Sequence, residues 1–317
     1  MSGLTLTAGL SFSGGFTFTE APSPENTAAW FGGGTAPGQS STVQRITYAT
    51  DTATASVRGP LSFGRMGVAG TGNSDYGWFS GGYPVSTVDR ITYANDTATA
   101  SVRGPLSGSR YYCGAVANTT NGWVGGGREP VGVYYTTVDR ITFATDTATA
   151  SVRGPLSLAR SRLGAAGNTT DGWFGAGRND SPAGIESRVD RITFATDTAT
   201  ASVRGPLSSA RYFLAAAGNT TDAWFAGGNP AIVSTVNRIT YATDTATASV
   251  RGPLSSGRYM HAAAGNSTNG WFSGGNPDGP FTTSVDRITY ATDTATASAR
   301  GPLSAARARM GAASGIQ

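Results

Sequence analysis

The stretch GNTTDGWFGAG (residues 167–177) reads as a short β-strand between polar turns, and variants of it recur along the chain. AWFGGG (29–34), YGWFSGG (76–82), NGWVGGG (121–127), DAWFAGG (222–228) and NGWFSGG (269–275) repeat its core. Together these segments hold all six tryptophans: Trp30, Trp78, Trp123, Trp173, Trp224 and Trp271. Their residue numbers differ successively by 48, 45, 50, 51 and 47. Recurrence at such a period marks an array of similar supersecondary units, each too small to bury a core alone.

One unit, from Ala210 to Ala246, contains four short β-runs. ARYFLAAAGN is apolar and ends in Gly-Asn. DAWFAGG follows, then the loop NPAIVS. TVNRITYA is rich in β-branched and aromatic residues, and a Thr-Asp-Thr turn leads into ATASVRGPLS. Gly, Pro, Asn and Asp punctuate the runs, and no segment carries a helical period. With the runs labelled A to D, the Ala-rich A strand suits a crowded innermost position. The Gly pair ending B permits close backbone approach. Four-stranded sheets of this length, packed face to face about an axis, are propeller blades.

The permuted ends of the array close the ring. The first B strand (28–34) has no A strand before it, and the last A strand, within ARARMGAASGI (306–316), has no B strand after it. The final A strand is therefore expected to complete the first B-C-D set and leave no open edge. The sequence thus predicts an all-β, six-bladed propeller of four-stranded antiparallel blades over residues 28–317. Residues 1–27 precede it as a tether ending in the Pro-rich linker APSPEN.

Composition agrees with a folded array. Glycine is frequent, 45 of 317 residues, but hydrophobic content is an ordinary 38%. The single cysteine, Cys113, excludes an intrachain disulfide framework and reads as a buried small hydrophobe. No apolar run is long enough to span a membrane, and no membrane insertion is expected. All 23 cationic residues are arginine. Most occupy three fixed places per repeat with acidic neighbours, as in Val88-Asp89-Arg90, which is no basic stripe and argues against nucleic-acid binding.

The pattern R-x-x-x-A-A-A-G-N-x-x-x-x-W-F-x-G-G followed by V-x-R-I-T-Y resembles the kelch repeat, over roughly residues 28–317. It departs from kelch in strand D, where Thr-Ala-Thr-Ala-Ser replaces the usual tryptophan. The phrase D-R-I-T-Y-A-T-D-T-A-T-A-S-V-R-G-P-L-S also resembles repeats in structural proteins of marine tailed phages. The segment LTLTAGLSFSGGFTFT resembles leader segments of such virion proteins.

Near-identical repeats allow a comparison within one chain. The C–D and A–B turns hardly change. The B–C loops YPVS (83–86), REPVGVYYT (128–136), RNDSPAGIES (178–187), NPAIVS (229–234) and NPDGPFTT (276–283) differ, as do the D–A corners. Antiparallel strands bring B–C and D–A to one face of the ring, which becomes the expected ligand-binding face. Its candidates are Tyr83, Tyr111, Tyr112, Arg128, Tyr134, Tyr135, Arg162, Arg178, Tyr212, Phe213, Tyr259, His261 and Phe281. The alternative is that loops of duplicated repeats drift and their aromatics fill loop interiors.

The repeated Arg65, Arg110, Arg160, Arg211, Arg258 and Arg307 either ring the channel and bind an anion or bond carbonyls and carboxylates within or between blades. Sixfold repetition favours the structural role, and the same holds for Asp89, Asp139, Asp190 and Asp286. A lone histidine excludes a multi-His metal site, and no cofactor is expected. Asp180 and Glu186 make no convincing catalytic pair for glycoside cleavage. Asn118, Asn168 and Asn219 match the glycosylation sequon but read as turn residues. With the phage resemblance, the expectation is a non-enzymatic virion structural protein of the particle surface or tail. It would be bound to other virion proteins through its N-terminal segment and would recognise a host-surface polysaccharide or receptor, with homo-oligomer formation left open. A decoration or assembly protein is the alternative, and a glycan-acting enzyme the weaker third.

Overall fold

The computed structural model describes residues 27–180 and 184–315; the tether expected over 1–27 lies, apart from its last residue, outside them. The strands run β1 (Ala28–Gly32), β2 (Val43–Thr47), β3 (Ser56–Arg58), β4 (Ala69–Gly72), β5 (Tyr76–Ser80), β6 (Val88–Thr92) and β7 (Ser101–Arg103). Next come β8 (Gly114–Ala117), β9 (Asn121–Gly125), β10 (Val138–Thr142), β11 (Ser151–Arg153), β12 (Gly164–Gly167), β13 (Asp171–Arg178), β14 (Ile185–Thr193) and β15 (Ser202–Arg204). The last are β16 (Ala215–Gly218), β17 (Asp222–Ala226), β18 (Val236–Thr240), β19 (Ser249–Arg251), β20 (Ala262–Gly265), β21 (Asn269–Ser273), β22 (Val285–Thr289), β23 (Ser298–Arg300) and β24 (Gly311–Ser314). They form six antiparallel sheets of four. Blades 2 to 6 each use four consecutive strands, and blade 1 has the order β24-β1-β2-β3. The ring therefore closes as the permuted repeat demands, with Trp30 opposite Ala313.

Strand B is buried on both faces, because it lies between two strands of its own sheet and two neighbouring blades. Trp78, Trp123, Trp173, Trp224 and Trp271 are at most 1% exposed, and Trp30 is 5% exposed. Each indole leaves its own blade and docks on the next. Trp78 of blade 2 stacks on Phe143 of blade 3, with ring centroids 3.8 Å apart and planes within 8°. Its Nε1 donates to Asp146 Oδ2 at 2.9 Å. Arg90 Nη1 donates to the same oxygen at 3.0 Å, and Arg103 Nε lies 3.6 Å away. One carboxylate in the C–D turn of blade 3 thus gathers an indole and two guanidinium groups from blade 2. The backbone repeats the connection: Gly104 N donates to Asp146 O at 2.8 Å. A Cβ on Gly104 would strike the Ala148 carbonyl, so only glycine permits this approach.

The clamp occurs at all six junctions. Trp30, Trp123, Trp173, Trp224 and Trp271 donate to Asp96, Asp197, Asp244, Asp293 and Asp51. Their indoles stack on Tyr93, Phe194, Tyr241, Tyr290 and Tyr48. The Trp271–Asp51 bond joins blade 6 to blade 1. These contacts explain why the C–D turn and the Ser-Val-Arg-Gly-Pro run hardly vary.

A second buried network works inside each blade. Arg65 donates to Asp89 at 2.8 Å and to the Gly81 and Phe79 carbonyls. Asp89 also accepts from Ser62 N and Oγ. The corner from strand D into strand A is thereby tied to strands B and C. Arg110–Asp139, Arg160–Asp190 and Arg258–Asp286 repeat the pair. The repeated arginines are therefore structural, as their sixfold recurrence suggests. Asp89 does not pair with its sequence neighbour Arg90, because successive side chains on a strand point to opposite faces. In blade 5 the acid is replaced by Asn237, whose Oδ1 accepts from Arg211 at 2.7 Å. In blade 1 Gln44 stands there, and Arg307 turns to the Gly33 and Thr42 carbonyls. Burial without a carboxylate lowers the pKa of Arg211 and Arg307 to about 10.

Two outcomes follow for denaturant unfolding. Asp146→Ala strands three donors at one junction and should cost about 3 kcal/mol or more. Asn237→Asp should instead stabilise by about 1 kcal/mol, because it supplies the missing counter-charge to Arg211. A destabilised Asn237→Asp protein would contradict the reading of blade 5 as under-compensated.

Candidate functional site

The variable face is built by one backbone device repeated six times. The Gly pair after strand B enters the left-handed region, as at Gly126 and Gly127 (φ 68° and 98°). In blade 4 Ala176 takes the first of these positions, at φ 62°. The residue after this pair bridges the residue after the repeated arginine: Met66 with Tyr83, Tyr111 with Arg128, Ser161 with Arg178, Tyr212 with Asn229, Tyr259 with Asn276 and Ala308 with Thr35. B–C loops and D–A corners are thus cross-strand neighbours, as expected from the alternation of connections.

One residue further on, each corner turns into the channel. Gly67, Tyr112, Arg162, Phe213, Met260 and Arg309 all have φ between 58° and 70°. Their main chains form a closed circle of hydrogen bonds, each N–H donating to the carbonyl of the preceding blade at 2.7–2.9 Å: Tyr112 to Gly67, Arg162 to Tyr112, Phe213 to Arg162, Met260 to Phe213, Arg309 to Met260 and Gly67 to Arg309. This circle rims a cavity of about 70 Å³ at the variable-face end of the channel.

The side chains on and around the rim merge into one cluster. Tyr112 meets Phe213 edge to face, 4.9 Å between centroids, across blade 4. Tyr111 packs on Tyr112 and on Tyr83, and Phe213 on Tyr212 and Tyr259. Arg162 lies over Phe213 at 4.8 Å and over Tyr112 and Tyr212 at 5.7 Å. Arg128 lies 5.5 Å from the rings of Tyr111 and Tyr134, and Arg178 lies 5.7 Å from that of Tyr212. Cation–π contacts of this kind hold both partners in place without neutralising the charge. Burial raises the Tyr112 pKa and lowers that of Arg162.

Ten of the thirteen candidate face residues are therefore brought together: Tyr83, Tyr111, Tyr112, Arg128, Tyr134, Arg162, Arg178, Tyr212, Phe213 and Tyr259. Tyr135 turns aside, and its hydroxyl donates to Glu129 at 3.0 Å. Phe281 is half-buried in the blade 6 loop, and no ring contact among the described residues ties it to the cluster. His261 is 5% exposed and lines the cavity just beneath the rim, at the place held by Val68, Cys113, Leu163, Leu214 and Met310 in the other repeats. Burial, with Arg258 nearby, lowers its pKa to about 3. Cys113 is likewise buried, and its thiol is pushed up to about 11. The B–C stretch 178–187 is not wholly loop, since β13 reaches Arg178 and β14 begins at Ile185; residues 181–183 lie outside the described ones.

The rim residues Met260 and Arg309 belong to the site and are absent from the sequence-derived candidates. The signal that finds them is their fixed offset, two residues past the repeated arginine. Asn118, Asn168 and Asn219 are turn residues: Asn118 Oδ1 accepts from the N–H groups of Thr120 and Asn121, and the other two repeat this. No protein-family model and no curated protein matches the chain.

The buried imidazole generates a pH prediction. An ordinary histidine has a pKa near about 6.5. With the folded value lowered, the stability is fully present above pH ~6.5 and drains as pH falls toward 3. His261→Leu should remove that drain. Unfolding curves should show a gap in favour of the variant that widens by about 2–3 kcal/mol between pH ~7 and ~4.5. A gap independent of pH would mean that the imidazole is not held neutral.

Proposed function

We propose that this chain is a non-enzymatic phage virion protein, a kelch-like propeller that presents one face for recognition of a host-surface glycan. The observation that carries the reading is the rim. Five of its six residues are not glycine, yet all lie at left-handed φ. That conformation costs an L residue roughly 1 kcal/mol. Gly67 shows that glycine fits the same place in blade 2. Side chains kept at such a cost, on a face where the loops also diverge, mark a ligand clamp more than drift. Aromatic and arginine side chains are suited to flat sugar rings and their polar edges. The virion assignment draws on the resemblance of the repeated D-R-I-T-Y-A-T-D-T-A-T-A-S-V-R-G-P-L-S phrase to marine tailed-phage structural proteins. Two carboxylates of the face, Glu129 and Glu186, are engaged by Tyr135 and by Asn179, and neither lines the central cavity. That supports binding over hydrolysis.

A second reading, a decoration or assembly protein, draws on the outer rim. Val57, Val102, Val152, Val203 and Val250 stand 53–60% exposed on the outermost strands of five blades. Such a repeated apolar edge suits lateral packing against other virion subunits.

The two readings separate in a binding experiment with labelled protein, bacterial cells and extracted surface polysaccharides. Tyr112→Gly combined with Phe213→Gly removes two rings while favouring the local backbone. On the recognition reading the wild type binds saturably, and the variant loses binding by tenfold or more while it remains folded with a cooperative melting transition. A folded wild type that binds no host material would favour the assembly reading.

A further inference from the structure

Eighteen of the 23 arginines belong to the repeat; the other five are Arg128, Arg162, Arg178, Arg188 and Arg309. All five stand in the B–C and D–A connections or the strand extensions beside them, on the variable face. Arg188 has partners there: it donates to Ser157 Oγ, and Glu186 lies 4.0 Å away. The other four differ. Among the described residues Arg128, Arg162, Arg178 and Arg309 have no carboxylate within ion-pairing distance. This contrasts with Arg65, Arg110, Arg160 and Arg258, each held against an aspartate.

These four unpaired cations are also close together. Arg162 and Arg178 share the ring of Tyr212, each 5.7 Å from its centroid. Arg128 stands on Tyr111, which packs on Tyr112, and Tyr112 in turn lies beneath Arg162. Arg309 completes the rim, with Nε 3.2 Å from Met260 Sδ and Nη1 3.5 Å from Met66 Sδ. Thioether sulfur is a weak acceptor and leaves the guanidinium charge unanswered. Both Arg162 and Arg309 line the cavity that the rim encloses. Like charges gathered on tyrosines without counter-charge repel one another unless an anion joins them, and a guanidinium fork is matched to an oxyanion.

We propose, on the strength of the recognition reading above, that the glycan is an acidic polysaccharide. An oxyanion of one sugar enters the rim between Arg162 and Arg309, and Arg128 and Arg178 hold neighbouring acidic units. Carboxylate and sulfate share this chemistry, and the probes distinguish them.

The experiment measures binding of the full chain to polygalacturonate, dextran sulfate, uncharged dextran and polyglutamate at matched charge and ionic strength. The expected result is saturable binding to at least one of the two acidic polysaccharides, weakening as salt rises, with uncharged dextran and polyglutamate at least tenfold weaker. Preference for polygalacturonate or dextran sulfate identifies the oxyanion. Arg162→Gly, which suits the left-handed backbone, and the separate double variant Arg128→Gln/Arg178→Gln should each lose about tenfold in affinity. Arg188→Gln removes an equal charge from an arginine that already has partners and should change affinity less than about twofold. Equal binding to polyglutamate, or equal losses in Arg188→Gln, would overturn the site as a reader of acidic sugars. Preference for uncharged glycans, unaffected by the arginine variants, would overturn the anion assignment and leave the recognition reading standing. Failure to bind any glycan at all would overturn both.

Discussion

The ring depends on one carboxylate per junction. An aspartate in the C–D turn of each blade collects an indole N–H and two arginines from the blade before it, and the indole stacks on the ring that opens the same turn. These aspartates are nearly buried, at 5–7% exposure. Removing one would leave several donors without an acceptor, which costs more than the net worth of any single bond. Blade edges, glycine placement and the Gly-Pro corner all serve this contact. The same chemistry at every junction has a further effect: nothing in the clamp itself tells one neighbour from another. Blade order must come from connectivity, through loops too short to reach past the adjacent blade.

The architecture was largely legible because its determinants are local or periodic. Tryptophan spacing gave the number of blades, and the lone first B strand and lone last A strand gave the closure. Pairings between distant residues were not legible. Asp89 sits beside Arg90 in the chain, yet it bonds Arg65, while Arg90 reaches Asp146 in the next blade. Adjacency on a strand separates side chains to opposite faces, so the neighbour in sequence is the wrong guess. The interior of the blades also carries the two exceptions, Asn237 and Gln44, whose significance appears only beside the buried arginines they fail to neutralise.

The candidate site was legible as a face and less so as a set of residues. Counting from the repeated arginine, the first residue joins the cross-strand pair, the second turns onto the rim, and the third forms the buried cavity wall beneath it. His261 occupies the third position, where the other five repeats carry apolar residues, so an imidazole stands in an otherwise apolar part of the cavity wall. Arg309 occupies the second position without the aromatic neighbours found beside Tyr112 and Phe213, so its offset from Arg307 is the one signal the sequence carries for it.

The rim circle separates two demands that usually compete. Its hydrogen bonds are made by main-chain atoms alone, so their formation does not depend on which side chain each blade contributes. Glycine, tyrosine, arginine, phenylalanine and methionine already occupy equivalent places. Six positions around one opening can therefore be rewritten singly, each within a backbone that is already satisfied. The chemistry of the opening and the cohesion of the ring are thereby separate properties of the chain, and a change in the first leaves the junctions between blades untouched.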